Sequence, residues 1–96
     1  MTALEDLRRD YRTAFLRYLP ARDEAALHAG YEIGRSAVVE GLSILHLAQV
    51  HHEVLLEVLR DTRSEDLSNV AAAASEFLVE VLATFDMAQR ALHPET

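Results

Sequence analysis

Ninety-six residues with a net charge of −7, half of them hydrophobic and none of them Cys, describe one small acidic domain that is short of core, because a chain of this length buries only about 60 to 65 % of the surface its unfolded form exposes. The absence of Cys excludes a disulfide framework, a thiolate nucleophile and sulfur metal ligands, and fits a cytoplasmic setting; the nine basic residues are all Arg, which excludes Schiff-base and phosphate-loop lysines. Residues 1–22 hold five Arg against three acids and residues 23–96 hold four against thirteen, so neither nucleic acid nor an anionic membrane is an expected partner.

Helical periodicity runs through the whole chain, with no strand-like alternation, and predicts helices over about 3–18, 23–40, 44–60 and 65–92 of a single 1–96 domain. Thr2 and Glu5 have the spacing of a capping box, each satisfying a free amide of the first turn. Leu4, Leu7, Tyr11, Ala14, Phe15 and Tyr18 form the apolar face that follows, opposite Arg8, Arg9, Arg12 and Arg17. Leu19-Pro20 is expected to end this helix, since Pro disfavours helical geometry in the residue before it.

Asp23 is the expected N-cap of the second helix. Two stripes follow: Leu27, Tyr31, Val38 and Leu42, and the nearly side-chain-free Ala26, Gly30, Gly34, Ala37 and Gly41. An interior Gly costs about 1 kcal/mol of helix propensity relative to Ala, so a ridge of them calls for close packing against another backbone in compensation. Gly41 alternatively reads as a helix C-terminal glycine.

Ser43 is the expected cap of the third helix, and the tight turn before it places helices 2 and 3 as antiparallel neighbours or bends the chain sharply at Gly41. Ile44, Ala48, His51, Leu55 and Val58 are the expected core stripe, but Leu47, Val50 and Val54 add a second apolar face and Leu45, Leu56 and Leu59 a third. Such a helix needs cover on several sides, which predicts self-association. It does not predict a membrane span: Ser43, His46 and Gln49 interrupt the greasiest run, Leu42 to Val50, far below the roughly 20 apolar residues required. After a polar link capped by Ser64, the fourth helix offers Leu67, Val70, Ala71, Ala74, Leu78, Val81, Phe85, Ala88 and Leu92 as its core, and Pro94 is expected to close it. Phe77, Val79, Ala83 and Met87 fall off that stripe, which makes Val79 and Ala83, one turn apart, candidates for a partner surface.

Chemistry finds little support. His46, His51 and His52 are spaced by five and one, so no two imidazoles share a face in the manner of a metal-binding helix, and no metal or cofactor is expected. His51 reads as a core histidine and the other two as solvent-facing. Ser36, His51 and Asp61 could supply a hydrolytic set, but no nucleophile elbow accompanies them. His52-Glu53 matches the first two letters of a histidine phosphotransfer motif and lacks the rest, which leaves phosphotransfer through His52 as an alternative function. A small-molecule sensor with a cavity between helices 2 and 3 is another.

The segments Tyr11 to Leu19, Tyr31-Glu-Ile-Gly-Arg35, Val50-His-His-Glu-Val-Leu55 and Phe77-Leu-Val-Glu-Val-Leu82 with Met87-Ala88 resemble the N-terminal domain of RsbU-type serine phosphatases over nearly the whole chain. The same region is similar in fold to the dimeric helical domain of the cyanobacterial clock protein KaiA. The resemblance implies an all-α, dimeric four-helix bundle without catalysis of its own. It would bind an activating, kinase-like switch protein and pass that event to a C-terminal serine phosphatase or other effector in bacterial stress signalling. On this basis Glu24 and His28, with Val79 and Ala83, are the candidate partner-binding residues. Gly30, Gly34, Val38, Leu47, Val50 and Val54 are the candidate dimer interface.

Overall fold

The computed structural model describes residues 2–92, in which four α-helices follow one another: α1 (Ala3–Ala21), α2 (Glu24–Val39), α3 (Ile44–Arg60) and α4 (Leu67–Leu92), the last preceded by a single 3₁₀ turn over Ser64–Asp66. Local chemistry sets most of the boundaries. The Thr2 hydroxyl accepts from the Glu5 amide at 3.1 Å while the Glu5 carboxylate accepts from the Thr2 amide at 2.9 Å, so the expected capping box starts α1. Asp23 accepts from the Ala26 amide at 2.8 Å and starts α2. Each such cap is worth about 1 kcal/mol.

Pro20 does not stop α1. The helix continues through it to Ala21 and closes at Arg22, whose backbone is left-handed (φ 51°) and whose amide donates to the Tyr18 carbonyl at 2.8 Å. In a last turn Pro forfeits one hydrogen bond and has no later turns to disrupt. The left-handed Arg22 is held by its own head group, which donates to both Glu76 oxygens at 2.8 and 2.7 Å. At the end of α2 the Gly41 amide donates to Val38 and the Leu42 amide to Ala37, the paired pattern that needs a left-handed residue between helix and loop. Gly41 supplies it at φ +77°, with open space around it. Its role is therefore the C-terminal one, outside the small-residue ridge.

Contacts across the bundle define the helix order. Arg8 meets Glu53 and Arg12 meets Glu57, so α1 and α3 run parallel. Gly30 faces Phe77 and Val81, and Gly34 faces Val81, Thr84 and Phe85, so α2 and α4 run parallel too. The two-residue link at Arg22-Asp23 makes α1 and α2 antiparallel. Helix α2 packs on α1 and α4, and α3 packs on the same pair. Helices α2 and α3 thus occupy opposite corners, antiparallel but not neighbours as the short connection suggested, and Glu40 to Ser43 crosses the end of the bundle between them.

Phe77 lies at the centre of the core. Fully buried, it receives Tyr11 edge-on at 5.3 Å and packs against Phe15 at 5.8 Å and Tyr18 at 5.6 Å. This corrects the expected phase of α4: the buried line is Val70, Ala73, Ala74, Phe77, Val81, Thr84, Phe85 and Ala88, while Leu67, Ala71 and Leu92 are exposed. Thr84 is tolerated inside because its hydroxyl donates to the Glu80 carbonyl at 2.8 Å. In α3 the buried line is Leu47, Val50 and Val54, and the expected core residues Ile44 and Ala48 face out. Ile33, on neither predicted stripe of α2, is buried beside Ala37 and Val38. Ser64 offers no side-chain cap; its turn is held by the Asp66 amide donating to Arg63. Pro94 lies outside the described residues.

Candidate protein interaction surface

Because α4 turns Phe77, Val81 and Thr84 inward, residues half a turn away must point out. Val79 is 62 % and Met87 67 % exposed, and Ala83 between them is exposed as well. Spacings of four place the three on one outward line, beside the acidic Glu76, Glu80 and Asp86. Glu24 and His28 are likewise exposed at the start of α2. His28 stacks on Tyr31 with ring centroids 5.2 Å apart. Since Gly30 touches both Phe77 and Val81, His28 stands at nearly the same level of the bundle as Val79. All four candidate partner-binding residues are therefore solvent-facing, and none is committed to the core.

The candidate dimer residues stand differently. Val38, Leu47, Val50 and Val54 are buried within the chain, as are Gly30 and Gly34. A Cβ at Gly30 would lie 3.2 Å from Phe77 Cε1, and one at Gly34 would overlap the Val81 carbonyl oxygen. The close backbone approach that the glycine ridge called for exists, but its partner is α4 of the same chain. In this fold none of the six offers its side chain to a second copy.

The histidines divide into three roles. His51, half-buried, holds its Nδ1 2.8 Å from the Tyr11 hydroxyl; burial lowers its pKa, with the neighbouring His52 adding to the effect. The imidazole tautomer sets which of the two groups donates, and burial raises the pKa of the Tyr11 hydroxyl. His46 is not an ordinary surface residue: its Nδ1 accepts from the Ser43 amide at 3.0 Å while Ser43 Oγ accepts from the His46 amide, a capping box with imidazole where Glu is usual. The Ser-x-x-His spacing was its only trace in the sequence. His52 is exposed. Ser36 opens onto the α1–α2 groove, away from the Tyr11–His51 pair, so the hydrolytic set is not assembled. Among the described residues no three metal-ligating side chains gather.

Two further features leave little trace in the sequence. Arg8 donates to Glu53 at 2.8 Å and Arg12 grips Glu57 through Nε and Nη2, a pair of bridges whose signal was an i, i+4 repeat of Arg on one helix and Glu on another. The bond from Arg12 lowers the Glu57 pKa, and the hydroxyl of Tyr18, followed by Arg22, lowers that of Glu76. An open groove of about 700 Å³ lies between α1 and α2, floored by Leu7, Ala14, Ala29, Ile33 and Ala37. The expected cavity between α2 and α3 has no counterpart, because those helices stand at opposite corners.

Among the described residues no helix is long and apolar enough to cross a membrane. Residues 9–88 match the family model described as phosphoserine phosphatase RsbU, N-terminal domain. No curated protein and no solved structure matches the chain.

Proposed function

The chain belongs to the family of RsbU phosphoserine phosphatase N-terminal domains, and from that premise we propose that residues 1–96 form a single non-catalytic, cytoplasmic regulatory domain. It forms a homodimer, receives an activating kinase-like switch protein, and thereby controls a C-terminal serine phosphatase or another effector in bacterial stress signalling. No cofactor or metal takes part.

The observation that carries this reading is the outer line of α4, where Val79 is 62 % exposed although its neighbours Phe77 and Val81 are fully buried. An apolar centre beside charged groups is what a regulated interface needs. Glu24 and His28 supply polar contacts at a similar level of the bundle. Helix α4 also suits transmission, because the helix that offers this line is locked to α2 through Gly34. Partner binding shifts the effector only if it favours one arrangement of that pair over another.

Val79→Asp should weaken binding of the switch protein by about 100-fold, the scale of losing a central interface anchor, with helicity and oligomeric mass unchanged. Isothermal titration calorimetry measures it, and unchanged affinity would remove the site. A second reading, a small-molecule sensor, draws on the α1–α2 groove of about 700 Å³; native mass spectrometry of freshly purified protein would then show a retained ligand.

A further inference from the structure

With Leu47, Val50 and Val54 turned inward, α3 presents a different set of apolar side chains to solvent. Ile44 is 50 %, Leu45 68 % and Leu56 38 % exposed, and Ala48 and His52 between them are exposed too. These five positions share one side of the helix, opposite the buried line. We infer that this face, rather than the glycine ridge, is where a second copy of the chain docks. The inference deepens the self-association in the proposed function and rests on that reading.

Charge selects the occupant. Each copy carries −7, so two copies repel unless they meet through an uncharged patch. The α3 face contains no carboxylate. The nearest acids on α3, Glu53 and Glu57, are turned to α1 and neutralised by Arg8 at 2.8 Å and Arg12 at 2.6 Å. The outer line of α4 has the opposite character: Glu80 and Asp86 flank Val79, Ala83 and Met87, which suits a basic partner and not another acidic copy. The pattern on α3 is also self-complementary. Reversed end for end about its centre near residue 50, it brings Leu45 of one copy onto Leu56 of the other and small Ala48 toward His52. A two-fold interface requires this property, since each copy offers the same patch. Antiparallel α3 helices also set their end charges favourably.

Sedimentation velocity of the full chain tests the assignment. Wild-type protein should sediment as a dimer at micromolar concentration. Leu45→Glu and Leu56→Glu, each placing an unpaired charge in the contact, should raise the dimer dissociation constant by about 100-fold or more, with circular dichroism close to wild type, above all for Leu45→Glu, whose side chain is 68 % exposed. Because the chain has no Cys, His52→Cys adds an independent readout: close to the two-fold axis, it should form an intermolecular disulfide under mild oxidation. A dimer unaffected by either Glu variant would overturn the α3 face and leave self-association standing. A wild-type chain that stays monomeric would overturn both. A monomer whose switch-protein binding is lost in Leu45→Glu would overturn the assignment by giving this face to that partner.

Discussion

The two parallel helix pairs of this bundle are joined in opposite ways. Between α2 and α4 the contact is backbone against backbone, with Gly34 under the Val81 carbonyl and the hydroxyl beside it, that of Thr84, already bonded to Glu80. Between α1 and α3 side chains meet instead: outside the buried Leu47, Val50 and Val54 of α3, two exposed Arg–Glu bridges and the Tyr11–His51 hydrogen bond line an edge open to water. The first seam tolerates no added atom and responds little to solvent conditions. The second tolerates substitution and responds to pH and salt. One half of the molecule is thus a fixed platform, and α3 is held to it on adjustable terms.

The largest expected break of this contrast is Gly34→Ala. The added methyl has no space beside Val81 and Thr84, and separating two packed helices costs about 3 kcal/mol or more, in the range of severe core substitutions; urea denaturation measures the loss. The other seam has no glycine set against a facing backbone; its outer contacts are Arg–Glu bridges and the Tyr11–His51 pair, whose side chains can shift.

Acidification sharpens the comparison next. The His51 pKa is lowered in the fold, so the unfolded chain binds more protons once the pH falls below the ordinary histidine value of about 6.5, and stability declines from there toward the folded value. Glu57 and Glu76 are lowered too; their contribution is present above about pH 4.5 and is lost as the pH falls through their folded values. His51→Gln should remove the first of these two declines and keep the second, read as urea midpoint against pH. The smallest effect belongs to Arg12→Gln. Its bridge is half exposed on both sides, so global stability should barely change, while amide exchange in α3 speeds up and the difference from wild type fades in high salt.

What could be read from the sequence follows from how local each feature is. The caps at Thr2, Asp23 and Ser43 were legible because their bonds close within four residues. Four helices were legible because their periodicity is long. The faces they bury were not. In α3 and α4 apolar residues point in several directions, so Phe77 and Leu78, or Leu47 and Ile44, compete for the interior on equal hydrophobicity, and only the neighbouring helix decides. Here Gly30 decides, since the space it leaves admits the Phe77 ring. The glycine ridge signalled close approach correctly but carried no sign of which backbone would approach. The outward position of Val79 and Ala83 was legible by contrast, because on either phase of α4 they miss the core.

The diagonal crossing from Glu40 to Ser43 bears on how the chain is made. Helix α2 finds nothing along its glycine face until Val81 and Phe85 have been synthesised, some fifty residues later, so the first half emerging from a ribosome holds an α1–α2 hairpin with one side unclosed. Contacts that distant in sequence close slowly, and an exposed Ala-Gly face is a poor site for premature association because it has so little apolar side chain to offer. The small residues that let two helices touch in the finished bundle also keep the nascent chain quiet while it waits for its last helix.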